Sequence, residues 1–312
     1  MELAIVAGSG NPPLADAIAD RLGSKVCRST ISRFPDTELH VEINDTVRGC
    51  DVYLIQPTGP TADAHLMELL FLADASRRAG AARVTAIVPY LGYARQDRRA
   101  KGREAVGARV SADLLGTANL ARMVAVDLHT VSLEGFFSMP LEHLSAVSLL
   151  ANTLGELIEE HSVIVAPDLG AVKLAENYAE VLRRPLAIVH KIRLSGEEVR
   201  AQSIVGEVAG RAPVIVDDMI STGGTIEAAA TALLTAGCLP KIVVVASHAL
   251  MVGPANRRLS ALPLKRIVVT DSLQLSGNSS LPLQVVSLAP MLAETIARLN
   301  IGESIAEFLG HR

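Results

Sequence analysis

The stretch that most constrains this chain runs from Pro213 to Ile226, P-V-I-V-D-D-M-I-S-T-G-G-T-I. Val214, Ile215 and Val216 are consecutive, β-branched and apolar. That is the pattern of a short strand covered on both faces, and such strands belong to parallel sheets flanked by helices. The run ends at two carboxylates, Asp217 and Asp218. Polar Ser221-Thr222-Gly223-Gly224-Thr225 follows, and helix-forming residues continue from Ile226 to Thr235. Open α/β sheets build their ligand sites from strand, tight polar loop and helix, at the carboxyl ends of the strands.

The loop's composition selects a ligand. Gly223 and Gly224 tolerate positive φ and let the backbone come close to a bound group. Several N–H groups can then turn inward with a helix N-terminus behind them, a combination that binds phosphate. Ser221, Thr222 and Thr225 add hydroxyl donors. Asp217 and Asp218 repel a phosphate and suit neutral hydroxyls, such as a ribose diol, or a bridging Mg²⁺. A phosphosugar needs both halves. The plain structural alternative is a capped helix after a strand, with Thr225 as N-cap and the two aspartates in a solvated turn.

The rest of the chain reads as repeated strand and helix, which suggests two similar α/β domains. At 312 residues the chain has room for two cores, and the boundary is placed near Ser148, giving residues 1–147 and 148–312, the last helices falling in the second. Strands are predicted at Leu3–Ala7, Leu39–Ile43, Asp51–Gln56, Val84–Val88, Met123–Val126, Val163–Ala166, Leu186–His190, Ile242–Ala246 and Ile267–Val269. Helices are predicted at Pro13–Leu22, Thr61–Ala79, from Val110, at Ala171–Leu182 and at Met291–Leu299. The Gly8-Ser9-Gly10-Asn11 turn after the first strand lacks the third glycine of a dinucleotide fingerprint and reads as structural.

Several charged groups remain. Arg95–Glu104 carries five basic and two acidic residues between glycines, a basic lid suited to polyphosphate. Lys191 and Arg193 alternate onto one side of an extended segment, where two cations could grip a polyphosphate or defend a sheet edge. His129 and Asp168 each follow an apolar strand. Phe34, Asp36 and Glu38 precede a strand and on composition alone read as a solvated edge. The net charge of −4 and the scarcity of aromatic residues, at 3% with no Trp, count against a general nucleic-acid binder. Three scattered cysteines suit a reducing cytoplasm, and no run reaches membrane-spanning length.

Beyond the loop, R-F-P-D-T-E, Q-P-T-G-P, V-P-Y-L-G-Y-A-R-Q-D-R-R, V-D-L-H and S-I-V-G-E-V-A-G occur in an order that resembles the ribose-phosphate diphosphokinase family over the whole chain. The resemblance implies two tandem type I phosphoribosyltransferase-like domains, each a mostly parallel sheet flanked by helices, in a dimer-based homo-oligomer as large as a hexamer. It implies transfer of the diphosphoryl group of ATP to the 1-hydroxyl of ribose 5-phosphate, with Mg²⁺ as cofactor. Phe34, Asp36, Thr37, Glu38, Arg95 and Gln96 would hold ATP, which replaces the solvated-edge reading. His129 and Asp168 would be metal ligands, and Lys191 and Arg193 the catalytic cations. Arg193, Asp217, Asp218, Ser221, Thr222, Gly223, Gly224 and Thr225 would hold ribose 5-phosphate. Ser221 stands where many members carry Asp, so the loop has one negative charge fewer. Ala306 stands where the phosphate-regulated class tends to have Ser. Two rival readings are a nucleobase phosphoribosyltransferase, which shares the loop but needs neither Y-A-R-Q-D-R-R nor D-L-H, and a non-catalytic regulatory homologue.

Overall fold

The computed structural model describes residues 1–193, 200–275 and 280–310, the side chains of 191–193 and 200–202 excepted. The chain divides into two compact units. The first begins with β1 (Leu3–Ala7), α1 (Pro12–Arg21), β2 (Val26–Cys27), β3 (Ser29–Arg33), β4 (Leu39–Ile43), β5 (Asp51–Ile55) and α2 (Ala62–Arg78). It continues with β6 (Arg83–Val88), α3 (Gly107–Gly116), β7 (Arg122–Val126) and β8 (Leu141–Leu144). The second holds α4 (Val147–Leu157), β9 (Ser162–Ala166), α5 (Val172–Leu182), β10 (Leu186–Arg193), β11 (Arg200–Val205) and β12 (Ala212–Ile220). After these come α6 (Gly224–Thr235), β13 (Ile242–Ala249), α7 (Ala255–Ser260), β14 (Leu264–Thr270) and β15 (Leu283–Val286). The last helix, α8 (Ala289–Ile301), belongs to the first unit.

The first sheet has the order β2-β1-β5-β6-β7-β8 and is parallel throughout. The second has the order β11-β10-β9-β12-β13-β14-β15, parallel except for β11 on its edge. Without β11 the two orders are the same, strand for strand. Each chain segment leaves the first strand of its unit toward one edge and returns on the other side. The switch point therefore lies between β1 and β5 in one unit and between β9 and β12 in the other, which is where such sheets open a crevice. Hairpin β3–β4 forms a sheet of its own whose Ile31, Val41 and Ile43 pack on the core of the first unit.

Three expectations are corrected. Strand β12 does not stop at the aspartates. It runs to Ile220, because Met219 and Ile220 are apolar, buried and in register with His248 and Ala249 of β13. The division falls between Ser145 and Ala146, and α8 goes with the first unit instead of the second, because its apolar face packs on α1. The segment 140–151, for which the sequence predicts no strand or helix, contains β8 and the start of α4. Among the described residues no helix is long and apolar enough to cross a membrane.

Candidate active site

At the switch point of the second unit, Ile215 of β12 pairs with Val165 of β9, so the residues that come after this pair on the two segments run on side by side. These are Asp217 and Asp218 on one strand and Asp168 after the other. Asp168 closes a short turn, its Oδ1 accepting from Gly170 N–H (2.9 Å) and Ala171 N–H (3.3 Å). Asp218 N–H donates to Asp217 Oδ1 (2.9 Å). Burial pushes the Asp217 carboxyl well above its ordinary 3.8, and the neighbouring charges of Asp218 and Asp168 push it further the same way. A carboxylate cluster of this kind favours hydroxyl donors or a cation.

The loop after β12 turns its acceptors outward. Met251 N–H donates to Ile220 O (3.0 Å), Val252 N–H to Ser221 O (3.1 Å), Arg258 Nη1 to Thr222 O (3.1 Å) and Glu227 N–H to Gly223 O (2.9 Å). Among the described residues, no hydrogen bond engages the N–H groups of Thr222 to Ile226. The loop therefore presents a row of backbone donors at a helix N-terminus, the arrangement that holds an anion. The two glycines have separate reasons. Gly223 sits at φ 74° and is itself the N-cap of α6, so Thr225 lies inside the first turn and is not the cap. Gly224 has ordinary φ, but a Cβ there would stand 3.1 Å from Arg258 Nη1.

The switch point of the first unit is built differently. The Gly8–Asn11 turn receives a buried carboxylate of the protein itself. Glu68 accepts from Ser9 N–H (2.5 Å), Ser9 Oγ (2.7 Å) and Gln56 Nε2 (2.8 Å), and Gln56 Oε1 accepts from Gly10 N–H (3.0 Å). A Cβ on Gly8 would fall 2.3 Å from Gln56 Oε1. The turn is filled, which agrees with its reading as structural.

The other candidates in the first unit lie in exposed loops. Phe34, Asp36, Thr37 and Glu38 form the tip of hairpin β3–β4. Arg33 Nη1 donates to Thr37 O (2.7 Å), and the Phe34 ring, 50% exposed, stands 5.2 Å from the His40 ring. Arg95–Glu104 is an exposed loop without regular structure. Gln96 O accepts from Ala108 N–H at the start of α3 (3.1 Å), and the Glu104 carboxylate accepts from Ala100 and Lys101 N–H (2.8 and 2.9 Å). Among the described residues no ion pair engages Arg95, Arg99, Lys101 or Arg103. His129 is exposed on the turn after β7, which is fixed by Leu128 N–H donating to His143 Nε2 (3.0 Å).

His129 and Asp168 belong to different units, so no one unit brings both metal candidates together. The described residues contain no group of three or more ligating side chains placed to hold a metal by themselves. The donor chemistry of the Asp168 and Asp217–Asp218 region nonetheless fits Mg²⁺, which takes one or two carboxylates and completes its shell with phosphate oxygens and water. Lys191 and Arg193 lie on β10, beyond the point where it pairs with the last residue of β9, and so on the carboxyl side of the sheet. Their side chains lie outside the described residues. The motif reading did not find Arg258 or Glu227, whose contacts with the loop join residues far apart or in the first helical turn.

Fold and loop together define a doubly wound α/β protein whose candidate ligand site is a row of backbone donors flanked by carboxylates. Residues 3–118 match the N-terminal domain of ribose phosphate pyrophosphokinase, and residues 195–309 match the phosphoribosyl synthetase-associated domain. A ribose-phosphate pyrophosphokinase of Staphylococcus saprophyticus is 41% identical over 97% of this chain and 96% of its own length. One of Caldanaerobacter subterraneus is 40% identical over 98% of this chain and 97% of its own. The crystal structure of phosphoribosylpyrophosphate synthetase from Mycobacterium smegmatis matches with a TM-score of 0.91 at 38% identity, covering 97% of this chain and 100% of that one. The chain belongs to the ribose-phosphate pyrophosphokinase family.

Proposed function

We propose that this protein transfers the β,γ-diphosphoryl group of ATP to the 1-hydroxyl of ribose 5-phosphate, forming phosphoribosyl pyrophosphate and AMP. The observation that carries the reading is the loop after β12. Its acceptors are tied outward, its backbone donors are unengaged among the described residues, and carboxylates stand beside it. Ser221 to Thr225 hold the 5-phosphate, while Asp217 and Asp218 accept from the ribose hydroxyls. The sugar's 1-oxygen attacks the β-phosphorus in line. The new O–Pβ bond forms as the bond from Pβ to the α,β-bridging oxygen breaks, and AMP leaves with that oxygen. The protein's work is positioning and charge neutralisation.

Phe34, Asp36, Thr37 and Glu38 receive the adenosine end, the ring offering a stacking face and the carboxylates accepting from the amine and ribose. Arg95 and Gln96 hold the phosphates, and the cations up to Arg103 close over them. Lys191 and Arg193 neutralise the migrating diphosphate, Arg193 also reaching the sugar phosphate. Asp168 and His129 would each serve as a Mg²⁺ ligand, and Mg²⁺ would supply charge neutralisation on the polyphosphate oxygens. A dimer-based homo-oligomer, up to a hexamer, is supported by the exposed apolar pairs Met67–Phe71 on α2 and Val110–Leu114 on α3. A cytoplasmic setting is supported by Cys27, Cys50 and Cys238, all free thiols.

The deciding assay measures AMP release from Mg–ATP with and without ribose 5-phosphate, each with and without inorganic phosphate. AMP formation that requires the sugar phosphate and no nucleobase supports the reading. No AMP from ATP and ribose 5-phosphate, with nucleotide and diphosphate formed instead from phosphoribosyl pyrophosphate and a nucleobase, would replace it with phosphoribosyl transfer.

A further inference from the structure

We infer that Arg258 is a positioning residue for the 5-phosphate, acting through the loop backbone and through Glu227. The inference rests on the loop's assignment to ribose 5-phosphate. Of the four loop carbonyls turned outward, three are held by backbone N–H groups. The fourth, Thr222 O, is held, among the described residues, only by the Arg258 guanidinium at 3.1 Å. Thr222 is also the exposed residue of the loop, so among the described residues no other group restrains that peptide from turning over. If it turned, a carbonyl oxygen would replace an N–H at the anion position.

The same guanidinium has a second task. Its Nε lies 3.2 Å from Glu227 Oε2, in the first turn of α6, where an unpaired carboxylate would repel a bound phosphate. Arg258 thus cancels the one acidic side chain in that turn and adds positive charge close behind Gly224. Gly224 is the residue whose missing Cβ makes room for it. The sequence conceals this, since Arg258 lies 36 residues from Thr222.

The test is steady-state kinetics on the full chain. For Arg258→Ala the KM for ribose 5-phosphate, at saturating Mg–ATP, rises roughly tenfold, the value of one hydrogen bond to a charged group. The kcat and the KM for ATP stay within about twofold of the parent, the signature of lost ground-state binding. In Arg258→Ala with Glu227→Gln, part of the loss returns, because the stranded carboxylate is gone. A merely structural role would not produce that recovery. Should the alanine variant lose its fold, Arg258→Lys carries the same test: it keeps the charge without the forked donor, and its KM for the sugar phosphate alone rises. An unchanged KM for ribose 5-phosphate in a folded Arg258 variant overturns the inference, and so does an equal loss for both substrates. Thr225→Val separates the inference from the reading beneath it. If Thr225→Val raises that KM and Arg258→Ala does not, the inference alone fails. If neither does, the loop is not the sugar-phosphate site.

Discussion

Replacing Glu68 by Ala asks why one of two topologically equivalent switch points is closed. Glu68 is 5% exposed and its carboxylate accepts from Ser9 N–H, Ser9 Oγ and Gln56 Nε2. Alanine strands one N–H of the fully buried Gln56 amide, at roughly 1–3 kcal/mol, while the N–H of exposed Ser9 turns to water. Against this, a carboxylate no longer has to be desolvated, and water can enter the polar hole. The net loss is about 2 kcal/mol, which in a domain of this size lowers the melting temperature by roughly 4–8 °C. Because the vacated position is an anion site one carboxylate wide, acetate should refill it. At ten times its Kd it returns about 1.4 kcal/mol to the variant, and it has no such effect on the parent. The assay is thermal unfolding of parent and variant in acetate and in chloride at matched ionic strength. Turnover per folded molecule should change less than about twofold, since this turn binds no substrate. Melting within about 3 °C of the parent, with no acetate response, would refute the idea that the first turn carries its own anion.

Lys191→Ala should lower kcat about a hundredfold, since one cationic contact to developing charge is worth roughly 3 kcal/mol; single-turnover AMP formation reads this directly. Thr225→Val, which removes a hydroxyl and little volume, should raise the KM for ribose 5-phosphate about tenfold and leave the KM for ATP alone. An effect confined to ATP would reassign the loop. Asp51→Asn tests the ion pair of partly buried Arg83 with the fully buried Asp51 carboxylate, to which Tyr53 OH (2.8 Å) and Asn300 Nδ2 (3.0 Å) also donate. Uncoupling Arg83 should cost about 3 kcal/mol in chemical unfolding at neutral pH. Burial raises the Asp51 carboxyl, but donation from Arg83, Tyr53 and Asn300 outweighs it and holds the group below its ordinary 3.8. The native state therefore binds fewer protons than the unfolded one. The stabilisation is present above that ordinary value and is lost as pH falls through the lower native one. The Asn variant should lose less stability than the parent on acidification, and parallel curves would contradict the assignment.

What could be read from the sequence was what is local. β1, β5, β6, β7, β9 and β13 are apolar runs bounded by turns, and their periodicity suffices. Hairpin strand β3, S-T-I-S-R, hides because only Ile31 packs on the core and the other four side chains are polar. β15, with four residues, and α7, with six, are too short to show a period. The end of β12 was misplaced because two carboxylates look like a stop. The strand continues because Met219 and Ile220 find partners on β13, a segment more than twenty residues away. The place of α8 depends on α1, at the other end of the chain, and no local signal reports it. The site divides the same way. Its residue types follow from the motif, but the direction of the loop's carbonyls depends on Met251, Val252 and Arg258.

The repeated strand order sharpens the comparison between the units. Two sheets of the same order offer the same crevice twice, each at the carboxyl ends of its first strand and of the strand beside it. In the first unit a glycine turn meets Glu68, an acceptor brought from 59 residues away, so the donors are satisfied and the crevice is spent on stability. In the second, the loop's acceptors are engaged and its donors have no partner among the described residues, beside carboxylates that repel one another, an arrangement that favours an anion next to hydroxyls or a cation. Topology alone would assign binding to both crevices. The placement of a few charges, Glu68 against Asp168, Asp217 and Asp218, assigns it to one.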